Sequence, residues 1–246
     1  MDFALPEMKS GGPVLRAYLL GLLDFETALA LQRRLVYEVS GDRTQAALLL
    51  CEHPPLITVG RQGSWAHIFC GRDELCAREW PVRWVNRGGG CLLHLPGQFA
   101  IYPIVALDRL GLSVPAYLER LQQVVRDVLG EFSICGQTRP DQAGVWVGSR
   151  LIASVGVAVR DWVTYYGTAF NVYPDLEHFR LLRCSAAGDG PMTSLERERH
   201  GPLRPAFVRQ RLVEHFCRRF AVSRLSLLSD HPSLSRKARH AIATPS

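Results

Sequence analysis

Apolar and polar positions along the chain change period several times, and each change marks an element. Val14 to Leu20 is strand-like, and Asp24 then stands as a helix cap before Phe25, Ala28, Leu29, Leu35, Val36 and Val39, which trace one face of a helix ending near Ser40-Gly41. Ala46 to Cys51 is a short, continuously apolar run of the buried-strand kind, and Glu52-His53-Pro54-Pro55 reverses the chain behind it. Beside two prolines, His53 reads as a turn or helix-end hydrogen-bonding group. Leu118, Leu121, Val124, Val125 and Val128 mark a helix over Val114 to Leu129 that covers a sheet. Gly144 to Val147 and Leu151 to Val159 form a hairpin turning at Gly148-Ser149, with a third strand from Thr164 to Val172. Asp175-Leu176 begins a short turn towards Cys184. Pro205 to Phe220 is a helix with Phe207, Leu212, Val213, Phe216 and Phe220 inward. Helices and strands mix without a regular βαβ repeat, so the expected fold class is a mixed-sheet α+β domain over residues 13–222. Residues 1–12 and 223–246 are expected to be flexible ends, the second rich in serine and basic residues.

Composition narrows the function classes. With 246 residues, 47% of them hydrophobic, the chain can bury one sizeable core, and no apolar run reaches the length of a bilayer. Seven cysteines without metal-like spacing read as reduced thiols, which fits a cytoplasmic protein and no metal. A formal net charge of +6 favours acidic partners, but the basic residues are scattered and form no nucleic-acid motif. An acidic carrier protein fits that charge. Only Lys9 and Lys237 are lysines, both near a terminus, which rules out any mechanism needing a lysine in mid-chain.

The chemistry concentrates in Arg87-Gly88-Gly89-Gly90-Cys91-Leu92-Leu93-His94-Leu95-Pro96-Gly97-Gln98, between a strand-like run at Trp84 and another from Phe99 to Ile104. Three consecutive glycines let a ligand approach the main chain, Arg87 is a fixed planar cation at the mouth, and His94 is a titratable ring in an apolar wall. That is the make-up of a pocket for an apolar ligand with a few polar handles. The plainer alternative is a glycine-rich hairpin whose histidine satisfies a backbone carbonyl.

This stretch resembles the signature loop of the lipoyl(octanoyl) transferases, Arg-Gly-Gly-Gln-x-Thr-Tyr-His-Gly-Pro-Gly-Gln followed by an apolar strand with Tyr-Pro. Arg87, Gly88, Gly89, His94, Pro96, Gly97, Gln98, Tyr102 and Pro103 match, while Gly90, Leu92, Leu93 and Leu95 depart towards a greasier loop. Thr58-Val59-Gly60-Arg61, Gly144-Val145-Trp146-Val147, Ile152 to Gly156, Thr164 to Val172 and Met192-Thr193-Ser194-Leu195 extend the similarity over roughly residues 25–222. The resemblance implies the biotin/lipoate protein ligase catalytic-domain fold. It implies transfer of an octanoyl group from octanoyl-acyl carrier protein, through a cysteine thioester, to a lysine of lipoyl domains in 2-oxoacid dehydrogenases and the glycine cleavage H protein. Neither ATP nor a metal is needed.

Carried over residue by residue, the resemblance implies a substrate site of Arg87, Gly88, Gly89, Gly90, Cys91, Leu92, Leu93, His94, Ser154, Val155, Gly156, Gly167, Thr168 and Ala169. Two departures fall at the nucleophile. The family's activating lysine is Leu151 here, and Arg150, its neighbour along a strand, points to the other face. The family cysteine falls on Ser185 in ungapped register and on Cys184 if one residue is deleted, with His94 the nearest thing to a core base. Tyr166 stands where the family often carries histidine. An unassisted thiol is only a few per cent ionised at neutral pH, so losing the lysine costs about tenfold, not all activity. Two functions remain open: an octanoyltransferase with a rebuilt nucleophile site, and a non-catalytic relative that binds an acyl chain, acyl carrier protein or a lipoyl domain.

Overall fold

A computed structural model describes residues 11–140, 142–184 and 190–234. In chain order the elements are β1 (Val14–Leu22), α1 (Phe25–Gly41), β2 (Gln45–Glu52), β3 (Leu56–Val59), α2 (Arg72–Ala77), β4 (Val82–Trp84), β5 (Cys91–His94) and β6 (Gln98–Ile104). Then come α3 (Val114–Glu131), β7 (Gln137–Arg139), β8 (Gln142–Val147), β9 (Arg150–Arg160), β10 (Val163–Asn171), α4 (Leu195–Arg199), α5 (Pro205–Arg219) and β11 (Arg224–Leu228).

The main sheet has the order β11-β1-β2-β6-β10-β9-β8-β7. β1 runs parallel to both β11 and β2, and the other pairings are antiparallel. Both faces are covered, which is why β2 is apolar at nearly every position. Its Ala46, Leu48 and Leu50 meet α3 and α5 through Leu121, Val125, Leu212 and Phe216, while Ala47, Leu49 and Cys51 meet α1 through Ala28, Leu31 and Leu35. The Asp24 cap read from the sequence is present, with Thr27 N–H donating to Asp24 Oδ2 at 2.9 Å, and Ser113 Oγ caps α3 by accepting from Ala116 N–H at 3.3 Å.

A second, three-stranded sheet, β4-β3-β5, stands beside the main one, with β3 parallel to β4 and antiparallel to β5. It corrects the reading of residues 91–94 as loop: Cys91–His94 is a buried strand whose register pairs His94 with Leu56 and Cys91 with Val59. Two further corrections concern the C-terminal part. Phe207 is 37% exposed and Val208 is buried instead, while Leu212, Val213, Phe216 and Phe220 face inward as expected. Residues 224–228 form an edge strand on β1 where a flexible end was expected, anchored by Ser223 Oγ donating to the Gly12 carbonyl at 2.7 Å. Residues 1–10 and 235–246, the remainder of the expected ends, lie outside the described residues. Among the described residues no helix is long and apolar enough to cross a membrane.

Candidate active site

The glycine loop is clamped between the two sheets. Gly60 N–H donates to Gly90 O at 3.0 Å, Arg61 N–H to Arg87 O at 3.1 Å, Gln62 N–H to Gly89 O at 3.0 Å, and Gly88 N–H to Val157 O on β9 at 2.8 Å. The approach leaves no space for side chains at two points. A Cβ on Gly60 would sit 2.4 Å from Gly89 O, and one on Gly156 would sit 2.7 Å from Gly88 O.

Those contacts turn Arg87 inward, where it is 7% exposed. Its Nη2 donates to Thr58 O at 3.0 Å and to Thr58 Oγ1 at 2.8 Å, and its Nη1 donates to Gly88 O at 3.0 Å. Desolvation lowers its pKa from the usual guanidinium value, and nearby ionisable groups, first among them the Cys184 thiol, oppose that shift. Because Thr58 Oγ1 accepts from Arg87, its own hydrogen is available to His94 Nε2, 3.1 Å away. That bond assigns the other ring hydrogen to Nδ1, which is buried without a partner among the described residues. Burial, with His53 and Arg87 nearby, holds the His94 ring well below its ordinary pKa, so it is neutral.

The surrounding polar groups fix this wall. His53 Nδ1–H donates to Leu23 O at 2.7 Å, and Nε2 accepts from the Tyr102 hydroxyl at 2.9 Å. His53 is therefore the structural hydrogen-bonding group its prolines suggested, with its pKa lowered to about 4 by burial. Gln98 Nε2 donates to Leu93 O and to Asn171 Oδ1, and Asn171 Nδ2 donates to Thr193 O, which joins β6, β10 and the approach to α4. Glu52 accepts from Gly97 N–H at 2.7 Å and from Arg209 at 2.6 Å, locking the Pro96-Gly97 turn to α5.

Opposite the loop, Cys184 follows a short helical turn over Leu176–Leu181 and is held in place by Arg183 N–H donating to His67 O at 2.7 Å. Its Sγ lies 3.3 Å from Ser154 Oγ on β9, and it packs with Leu92, Trp146, Leu151 and Ala169. Leu151 is fully buried in that cluster, and its backbone pairs with the Pro191–Thr193 segment. Arg150 faces away, as the strand period requires, and its guanidinium pairs with Glu198 at 2.8 Å and 2.9 Å.

Between the walls lies a cavity of about 510 Å³. Of the expected substrate residues, Arg87, Gly88, Gly89, Cys91, Leu92, Ser154, Val155 and Gly156 line it together with Cys184. His94 does not. With Gly167, Thr168 and Ala169 it lines a crevice of about 20 Å³ behind Arg87, Leu92 and Gly156. Two expected residues lie outside both spaces: Leu93 is buried with Ile57 and Val59, and Gly90 gives its carbonyl to Gly60. Ser185 lies outside the described residues. Tyr166 closes the crevice with a left-handed φ of 55°, its N–H bonded to Gln32 Oε1 at 2.8 Å. Sequence reasoning missed Arg61, Gln62, Val114, Leu118, Gln142, Ala143 and Val157 as cavity residues. The Thr58 to Arg61 motif was the available signal for the first of these.

With this geometry in view, residues 24–217 match the family described as the lipoyl protein ligase A/B catalytic domain. The chain belongs to that family. It is 38% identical over 198 residues to an octanoyltransferase of Geotalea uraniireducens, covering 80% of this chain and 89% of the relative. It is 40% identical over 178 residues to an octanoyltransferase of Syntrophobacter fumaroxidans, covering 72% and 78%. Among solved structures, lipoate-protein ligase A bound with ATP superposes with a TM-score of 0.72 at 14% identity, covering 93% and 92% of the two chains. The bi-partite lipoate protein ligase of Thermoplasma acidophilum gives 0.67 at 13% identity, covering 94% and 91%. These last two likenesses establish the fold, the mixed-sheet α+β architecture of a lipoate ligase catalytic domain.

Proposed function

We propose that this protein is an octanoyltransferase of lipoate biosynthesis in which Cys184 carries the acyl group. The observation that carries the reading is the position of the Cys184 sulfur, on the cavity shared with the Arg87 loop and packed on Leu151. In the first half-reaction the sulfur attacks the thioester carbonyl of octanoyl-acyl carrier protein. A new carbon–sulfur bond forms, the carrier's carbon–sulfur bond breaks, and the proton lost by Cys184 goes to the leaving thiolate. In the second, the amine of a lipoyl-domain lysine attacks the acyl-enzyme carbonyl, a carbon–nitrogen bond forms as the carbon–sulfur bond to Cys184 breaks, and a proton from the nitrogen returns to sulfur.

Without the lysine, two groups of this chain serve the sulfur. Ser154 Oγ is its hydrogen-bonding neighbour, and Arg87 is the fixed cation near the charge that develops there. The neutral His94 lines the crevice behind Leu92, so its part is to orient Arg87 through Thr58. The net charge of +6 suits acidic carrier and lipoyl-domain surfaces, and association with both weakens as salt rises. The cytoplasm suits a chain whose seven cysteines are all free.

The test is transfer itself. Octanoyl-acyl carrier protein and an unlipoylated lipoyl domain are incubated with the protein, with Cys184→Ala and with Ser154→Ala. The reading expects octanoylated lipoyl domain from the parent, none from Cys184→Ala, and a slower yield from Ser154→Ala. Undiminished transfer by Cys184→Ala contradicts it.

A further inference from the structure

The crevice behind Arg87 ends on a residue that the transfer chemistry does not use. Successive residues of a strand point to opposite faces, yet the rings of Tyr165 and Tyr166 on β10 lie 5.1 Å apart, and both line a separate groove. The left-handed φ of 55° at Tyr166 breaks the alternation, and it is an outlier for so bulky a side chain. It is held by Gln32, a fully buried residue of α1 whose Oε1 accepts from the Tyr166 N–H. The Tyr166 ring packs with Phe25 and Leu29, one helical turn apart on α1. Phe25 belongs to the crevice, whereas Leu29 belongs to the groove, which has a volume of about 420 Å³. Among the described residues Tyr166 is the one that lines both spaces, and at 3% exposed it fills the partition between them.

The crevice also leads back to the sulfur. Leu92 and Ala169, which pack with Cys184, are part of its wall. Phe25, Tyr102 and the neutral His94 face the same space, whereas the main cavity carries Arg61, Gln62 and Gln142. An alkyl chain attached at Cys184 therefore leaves water most completely by running between Leu92 and Ala169. At about 20 Å³ the crevice has room for roughly one water, so such a chain meets the Tyr166 ring. Beyond the ring, the groove offers Leu29, Val36, Trp84 and Val85 as further apolar surface. We propose that Tyr166 is the end-stop that sets the length of acyl chain the protein accepts, and that without its ring the crevice runs on into the groove and takes longer chains. The inference rests on the octanoyltransferase reading for the end of the chain held at Cys184. It assigns Tyr166 to specificity, not to the chemical step.

Binding separates the two. Glycine adopts a left-handed φ without strain, so Tyr166→Gly removes the ring and suits the backbone. Asparagine tolerates the same φ, so Tyr166→Asn carries the same expectation should glycine loosen the strand, and Tyr166→Phe keeps the ring. Straight-chain carboxylic acids from hexanoic to tetradecanoic, below their micelle concentrations, are titrated calorimetrically into the parent and the three variants. Each methylene buried strengthens binding by about fourfold. The parent and Tyr166→Phe gain affinity up to octanoic acid and then level off. Tyr166→Gly and Tyr166→Asn keep gaining, and bind dodecanoic acid about tenfold or more tighter than octanoic acid. A plateau at the same length in all four proteins overturns the proposal, as does a parent that binds none of the acids or gains steadily to tetradecanoic acid. Adduct formation on Cys184 from octanoyl- and dodecanoyl-acyl carrier protein is read in parallel by mass. A shifted plateau without an adduct from either donor removes the transferase reading and keeps the end-stop, whereas an octanoyl adduct with an unshifted plateau does the reverse.

Discussion

On the glycine-loop wall of the cavity, Arg87, Thr58 and His94 are joined by hydrogen bonds, and His53 and Tyr102 form a second polar pair close by. On the facing wall, the Cys184 sulfur has Ser154 as its one hydrogen-bonding partner among the described residues, in a setting of Leu92, Trp146, Leu151 and Ala169. The contrast explains how the chain can lack the family's lysine and still keep its site. A leucine at 151 leaves no donor or acceptor unpaired, and it fills its space by joining an apolar cluster. A comparable loss at Arg87 would remove the donor that Thr58 O and Oγ1 share and leave a buried volume unfilled. On the proposed function, ligand recognition would depend on a connected polar wall, and chemistry on a single atom set in an apolar one.

The comparison breaks most readily at that atom. Cys184→Ala should reduce transfer to a lipoyl domain by a factor on the order of a thousand or more, read as octanoylated product, since no second group holds the acyl chain. Transfer within tenfold of the parent would mean that another residue is the nucleophile.

The next largest effect belongs to the polar wall, and it is one of stability. Folded His53 titrates at about 4 against an ordinary value of 6.5. Between those values the unfolded chain binds a proton that the folded one refuses, so stability is full above pH 6.5 and falls as pH drops towards 4. The loss is on the order of 3 kcal/mol from His53. His94, shifted in the same direction, adds to it. Urea midpoints measured at pH 7 and pH 4.5 check this. His53→Gln should flatten the dependence, and a parent equally stable at both pH values would remove the argument.

Arg87→Met sharpens the contrast from the ligand's side. It should weaken binding of an octanoyl donor by about ten- to a hundredfold, measured in a Cys184→Ala background so that chemistry does not intervene. A smaller change would mean that Arg87 serves the fold and not the ligand. Leu151→Lys carries the smallest effect, a rise of about tenfold in the rate of Cys184 acylation, because an added ammonium favours the thiolate. Burial of the new lysine opposes this gain. A rise that persists after Cys184 is replaced would assign it to another nucleophile.

Much of the fold was legible because local signals and burial agree. The continuous apolar run of β2, the Asp24 cap of α1 and the Gly148-Ser149 turn each have one structural solution. The residues that misled are those whose state is decided by distant chain. Cys91–His94 follows three glycines and becomes a strand by pairing with β3. Residues 224–228 lie in a serine-rich end and become a strand by docking on β1. In the site, the resemblance brought together Arg87, Ser154 and Cys184, whose segments meet on one cavity. It did not reveal Val114, Leu118 and Gln142, because they arrive from α3 and β8 and carry no chemistry that a motif would mark. Nor did it separate the cavity residues from His94, since that division depends on which way β5 turns each side chain.

The central claim is that Cys184 carries the octanoyl group. Its most direct test is intact-protein and peptide mass spectrometry after incubation with octanoyl-acyl carrier protein and no acceptor. The account predicts one octanoyl group per chain, located on Cys184, removed by hydroxylamine and absent from Cys184→Ala. An octanoyl group on Ser185 or any other residue, or no adduct on a chain that still binds the donor, would contradict it.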